Sequence, residues 1–473
     1  MAEIGIPAMT LLRGLIVGAL AVAAARPMRT LLADRRGAIR RVVWILLLAP
    51  YFTPVLLTGY GYASFSLSLI HHPTLNMIFY SVLLWWKFTP VAAVILYFTP
   101  APISAEAIHC HRLISTVGTP QRAVPGITSK FGDWAFLIRA GCAGGPVAAF
   151  AVVFLFAFAE FEMASLMIVK SWTVEMFDAH AGGLALSESL RLMLKPLLCE
   201  AAAIATAFVV LGRRQIFPAR NIEAGRGSRW FAWWHLIVAL VFVVMIPAAM
   251  VLAGTIHGLG LLLQNFVLSR EILASLFFAA GASALAGVAA FWLGAAARGH
   301  GLRSILGKVV LVTALFAGLL GPLVLSLTML AAFQLPGLIS LRNTPVPLVF
   351  ALGLVLLPMA LVLKRVLELT RHRSALHLTT LLQKSRAVRE LIWRLRTSGK
   401  FWAMVLLFVW AYWDLTASAI LAPIGMTPVT VRLYNLMHYG QIATLSAMTC
   451  AAFAAPILIS LLALGTRRWW APP

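Results

Sequence analysis

The sequence predicts an all-α polytopic membrane protein with about 11 transmembrane helices, built as two related halves. Three observations carry that expectation. The 473 residues are 61% hydrophobic and only 11% charged, with a mean hydropathy of +0.92. The apolar residues form long runs separated by short basic stretches. A polar, aromatic segment, TVRLYNLMHYG at residues 430–440, has an echo in TVEMFDAHAGG at residues 173–183.

Soluble domains are about 45–50% apolar and about 25% charged, so the composition places this chain in lipid. Its formal charge of +23 would suit a partner of polyanions. The location of that charge argues otherwise. Lys and Arg fall in short blocks between apolar runs, as cytoplasmic loops require, and no long basic face exists for nucleic acid. The cysteines, Cys110, Cys142, Cys199 and Cys450, have no paired spacing, so neither a disulfide framework nor a CxxC metal site is expected. A cleavable signal peptide is not expected either. The first apolar run follows Glu3, contains Arg13 and lacks a small-residue cleavage site.

A crossing needs about 20 mostly apolar residues, which places spans at roughly 9–26, 41–65, 78–98, 136–158 and 191–212. A second set follows at roughly 231–255, 272–296, 306–332, 346–364, 401–422 and 441–465. Basic loops set the direction. Arg26, Arg29, Arg35, Arg36, Arg40 and Arg41 mark one cytoplasmic loop, and Arg213, Arg214, Arg220, Arg226 and Arg229 mark another. The stretch from Lys364 to Lys400 is the most basic, and Arg467 and Arg468 place the C-terminus inside. Glu160, Glu162, Glu175, Asp178 and Glu188 fall on the opposite side. With an odd span count, the N-terminus is then external.

Residues 1–212 form the first predicted half, 213–230 a cytoplasmic linker with Pro and Gly, and 231–473 the second half. Polar positions in register argue for duplication rather than shared apolar composition. Glu160 in FAFAEFEMASLM matches Asp414 in VWAYWDLTASAIL, and each precedes one of the paired segments. Met176 pairs with Leu433, Phe177 with Tyr434, Asp178 with Asn435 and Gly183 with Gly440. Pro90 and Pro358 mark corresponding spans, each followed by a long basic loop. The second half has one additional leading span. Repeats of this kind put a pathway where the halves meet.

At WDLTASAILAPIGMTPVTVRLYNLMHYG the sequence resembles the fused, two-half permease subunit of binding-protein-dependent ABC importers. The similar branch is the type-I kind that carries ferric iron, thiamine and related solutes. Asp414, Ala417, Ser418, Pro423, Gly425, Val431, Arg432, Tyr434, His438, Tyr439 and Gly440 match the pattern of that family. The first half matches more weakly, through Glu160, Phe161, Thr173, Val174 and Phe177. The resemblance implies a multi-pass subunit of a bacterial cytoplasmic (inner) membrane, moving a small solute inward by alternating access. It implies ABC ATPase subunits on the cytoplasmic loops and a solute-binding protein outside. It also implies that this chain holds no cofactor, the ATP being bound by its partners.

The coupling loops of that family read E-A-A-x-x-x-G, and here the chain departs from it. HRLISTVGTPQRAVPGI keeps Gly118 and Arg122, but Glu106-Ala107 lies too far upstream. TTLLQKSRAVRELIWRL has Lys384 where the glycine belongs, beside Ser385 and Arg386. An amphipathic face of Leu381, Leu382, Val388, Leu391, Ile392 and Leu395 would suit docking into a partner groove. The alternative is a pair of basic loops that only hold topology. No phosphate loop is present: GLRSILGKVV has Gly307-Lys308 without a following Ser or Thr. His71-His72 and the His109, His111 pair around Cys110 lie in loops, which argues against haem or catalytic metal.

Two charges fall inside apolar runs. Lys87 lies mid-span and Glu200 lies in KPLLCEAAAIATAF. Such groups are costly in hydrocarbon unless paired or wet, so they are either pathway lining or a structural Lys87–Glu200 pair. With Glu160 and Asp414 they also support a second class, a secondary carrier coupled to ions. A membrane-embedded enzyme finds no nucleophile–base or metal spacing. The external gate or solute pathway is accordingly expected at Lys87, Glu160, Asp414, Arg432, Tyr434 and His438, with ATPase coupling at Gly118, Arg122, Ser385 and Arg386.

Overall fold

In hydrocarbon every backbone N–H and C=O must find its partner within the chain, so each long apolar run closes into a helix. A computed structural model describes residues 5–32, 37–99, 110, 143–212, 226–262, 267–297, 301–370, 393–438 and 442–465. All regular elements among them are helical. The first are α1 (Ile6–Leu32), α2 (Gly37–Phe52), α3 (Val55–Ser68) and α4 (Pro73–Phe98). Next come α5 (Gly144–Phe158) and the short α6 (Glu162–Leu166), α7 (Trp172–Ala181) and α8 (Leu186–Leu192). α9 (Leu194–Gly212) precedes α10 (Arg226–Leu240), a π turn and α11 (Ile246–Leu262). α12 (Val267–Ala296), α13 (Leu302–Leu319), α14 (Pro322–Ala332) and α15 (Val346–Thr370) follow. The chain then runs through α16 (Ser398–Tyr412), α17 (Thr416–Leu421), α18 (Val429–His438) and α19 (Ile442–Gly465).

Six helices among the described residues are long and apolar enough to cross a membrane, rising to nine if each broken pair is one span. That is fewer than the 11 expected, and proline accounts for two of the breaks. The run 41–65 is interrupted at Thr53-Pro54 between α2 and α3. The run 306–332 is bent by 115° between α13 and α14, where Gly321 takes a positive φ of 83° and Pro322 opens the next helix. Proline has no N–H for the turn before it, so an apolar run can be long enough to span and still not be one helix. A third break, between α8 and α9, falls at Met193. The predicted span 401–422 divides too: α16 stops at Tyr412, and the acidic turn starts a separate helix, α17. α5 and α16 are shorter apolar helices of 15 residues each.

The helices sort into two compact units, neither of them a continuous stretch of chain. The first holds residues 1–51, 81–158 and 199–243. In it α1 packs on α5 and α10. Gly14 and Gly18 let the α1 backbone approach the rings of Phe154 and Phe150. Small residues four apart are the usual means of bringing two helices close in lipid. Phe150, Phe154 and Phe158 stack in sequence along α5.

The second unit holds residues 52–80, 159–198 and 244–473. α12 packs on α15 and α16, α11 packs on α19, and a continuous core runs through Phe278, Leu352, Leu407, Tyr412, Leu433 and Met448. Pro358 frees the Leu354 carbonyl of α15, and Gly318 of α13 lies directly against it, where a Cβ would collide with that oxygen. Two short helices have matching supports: α3 packs on α6, and α14 packs on α17.

Candidate functional site

Two acidic turns form the candidate site, and both belong to the second unit. Each follows an apolar helix and precedes a short one, where the first backbone N–H groups lack intrahelical acceptors. After α5, Glu160 accepts hydrogen bonds from Met163 N at 2.6 Å and Ala164 N at 3.1 Å. After α16, Asp414 accepts from Ala417 N at 2.8 Å. The backbone carbonyls of the same two residues are held as well. Thr173 Oγ1 donates to Glu160 O at 2.7 Å, and Thr430 Oγ1 donates to Asp414 O at 3.0 Å. These threonines open the two echoing segments. Both are fully buried, Met176 and Leu433 are buried too, and Asp178 and Asn435 are both exposed.

The two turns touch through Glu162. Its Oε1 accepts from Leu415 N at 2.9 Å and from Thr416 N and Thr416 Oγ1, both at 3.3 Å. Ser165 of α6 and Tyr434 of α18 share a second hydrogen bond of 2.7 Å. Three carboxylates therefore lie together, Glu160 buried and Glu162 and Asp414 half-buried. Burial first, and then the charge of Asp414, hold Glu162 above the usual carboxylate range. Burial holds Asp414 above it too, against the pull of backbone hydrogen bonds from Ala417 and Ser418.

The turns are anchored by different neighbours. Tyr80 donates to Glu160 Oε2, and Asn76 donates to Met167 O at 2.7 Å, both from the start of α4. The second turn is held from the start of α12. Ser275 accepts from Val429 N at 2.8 Å, Arg270 donates to Gly425 O at 2.8 Å, and Glu271 pairs with Arg432 at 3.6 Å.

Of the residues singled out from sequence, Glu160, Asp414 and Tyr434 meet here, and Arg432 flanks them. His438 ends α18, and its side chain lies outside the described residues. Gly118, Arg122, Ser385 and Arg386 also lie outside them. Lys87 is in the first unit, 2% exposed, with Nζ donating to Pro50 O at 3.3 Å. The reason is local. In a continuous helix residue 54 would donate to that carbonyl, but Pro54 has no N–H, and the lysine supplies a donor. The alternative Lys87–Glu200 pair does not form. Glu200 is fully buried, and among the described residues neither of its oxygens meets a hydrogen-bond partner. Among the described residues no group of three or more His, Cys, Asp or Glu could hold a metal ion.

Glu162, Tyr80 and Glu271 were not picked out as site residues from sequence. For Glu162 a signal existed: it stands two residues after Glu160, as Thr416 stands two after Asp414. The apolar helices that surround this cluster make the chain a multi-pass helical membrane protein. No family model, curated protein or solved structure matches the chain.

Proposed function

We propose that the chain is the transmembrane permease subunit of a binding-protein-dependent importer, made of two repeated halves of type-I ABC permease kind. In this reading the two acidic turns stand at the external mouth of a solute pathway, and separate ATPase subunits drive alternating access from the cytoplasm. The observation that carries it is the repeated hydrogen bonding of Glu160 with Met163 and Thr173, and of Asp414 with Ala417 and Thr430. Element order supports it further. Apolar helix, acid, short helix, ten-residue helix occurs as α5–α6–α7 and again as α16–α17–α18. Counting α5 and α16 as short crossings restores a count of about 11. Duplication with such a pattern is common in transporters and places the pathway between the repeats.

Co-purification of the tagged chain from its native membrane, followed by mass spectrometry, tests the reading. An ATPase and an extracytoplasmic binding protein are the expected companions, and recovery of the chain without either removes the importer assignment. Orientation is tested separately by an impermeant thiol reagent on intact cells. Cysteines at Arg36, Arg220 and Ser385 should be protected, and cysteines at Asp178 and Gln441 should label.

A second reading, a secondary carrier coupled to ions, is favoured by Glu200 and by the three clustered carboxylates. Buried acids of this kind mark ion relays in transporters. Uptake that persists without ATP and collapses with the ion gradient selects it.

A further inference from the structure

Glu162 stands where α6 meets the start of α17. Its Oε1 takes both Leu415 N and Thr416 N, together with the Thr416 hydroxyl. Among the described residues, the charged groups facing it are Asp414, from the turn before α17, and Glu160, from its own turn. Tyrosines on the neighbouring elements are engaged elsewhere: Tyr80 of α4 donates to Glu160, the Tyr434 hydroxyl of α18 is bonded to Ser165, and on α3 Tyr60 is bonded to Ser446 and Tyr62 packs on Phe79. Both charges facing Glu162 are therefore negative, and its bonds join two segments 253 residues apart in the chain.

We propose that Glu162 is a proton-operated latch, which holds α6 against α17 while it carries a proton and releases them when it loses it. A neutral carboxyl keeps its carbonyl oxygen for the three donors of Leu415 and Thr416. An ionised one keeps those donors but sets a further negative charge beside Asp414 and Glu160, where half-burial leaves it only partly screened by solvent. Parting of α6 and α17 would hydrate that charge. Burial and the Asp414 charge both raise the proton affinity of Glu162 in the closed arrangement. The sign follows by linkage. A group whose affinity is higher when closed stabilises closure at acid pH and loses that effect as pH rises through its closed-state value. The released proton goes to solvent, and no other reactant is needed. Assigning the latch to the external mouth rests on the transport reading above, but the latch itself can be tested without transport.

The test uses full-length protein in detergent micelles, where reagent reaches both faces and no partner is required. The native cysteines are replaced by serine, and Ser418→Cys is introduced as reporter. Ser418 is 3% exposed, in the α17 helix that the latch holds. Labelling by a water-soluble maleimide is measured against pH in the reporter protein and in the same protein with Glu162→Gln. Glutamine keeps the carbonyl acceptor without a titrating proton, and the comparison cancels the ionisation of the reporter thiol. The rate ratio of parent to Glu162→Gln should be near one at about pH 4, below the ordinary carboxylate range, and rise at least about tenfold by about pH 8.5. A flat ratio overturns the latch. Should Glu162→Gln not fold, Asp414→Asn provides the second test, because removing that charge should shift the parent's labelling midpoint toward acid by about one pH unit. An unmoved midpoint also overturns it.

Discussion

The two acidic turns are alike in what the local backbone needs and unlike in what surrounds them. In both, a carboxylate two residues before a short helix accepts the same early N–H, and a buried threonine ties down the carbonyl of that acid. The first turn then leans on uncharged side chains, Tyr80 and Asn76. The second leans on Arg270, Glu271 and Ser275 and carries an ion pair. Their links also differ. Between α6 and α7 the chain turns at Ile168, which takes a positive φ of 55°, whereas between α17 and α18 it turns at Gly425, with a φ of 84°. Local hydrogen-bonding demands repeat because every interrupted helix has the same orphan donors. Tertiary anchors diverge because many different side chains can satisfy one position.

The largest effect that would break this comparison is loss of an acid. Glu160→Ala removes the acceptor of two backbone donors and of Tyr80, all buried, and should cost about 3 kcal/mol. Asp414→Ala leaves fewer donors unmet and should cost about 2 kcal/mol. Unfolding of each purified variant by denaturing detergent gives both values. Equal losses would mean that the extra Tyr80 bond contributes nothing.

Arg432→Ala comes next. It strands the Glu271 carboxylate, which is 8% exposed, but Arg432 itself is 39% exposed, so solvent screening limits the cost to about 1–2 kcal/mol. Sequence alone leads to a different expectation, that an Arg432→Ala, His438→Ala double variant folds normally and loses uptake. A stability loss restored by a second change, Glu271→Gln, would identify Arg432 as an anchor of the turn. Unchanged stability with lost uptake would return it to partner contact.

Thr173→Val and Thr430→Val sharpen the likeness instead of the difference. Each removes one hydroxyl bond to a buried carbonyl at nearly constant shape, at about 1 kcal/mol each, and the two losses should agree within about 0.5 kcal/mol. Values differing by more would show that the threonines are not equivalent. The smallest effect belongs to Glu175→Ala and Asp178→Ala on the exposed face of α7, which should leave stability unchanged by the same measurement.

What sequence alone determined was set by composition and local chemistry. A continuous run of about 20 apolar residues becomes helix in lipid, because only a helix pairs the whole backbone within the one segment. Pro54 and Pro322 were legible as residues that end a turn, although the runs around them read as continuous spans. The acidic turns stood out as polar residues in register beside apolar helices, and Glu160 with Thr173, like Asp414 with Thr430, could be matched by inspection. Only the tertiary structure decided who faces whom. It gave Lys87 to the Pro50 carbonyl rather than to Glu200, Arg432 to Glu271, and Glu162 to the start of α17. Those partners lie far apart in the chain. Local pattern records which groups need a partner, while packing of distant helices determines which partner arrives.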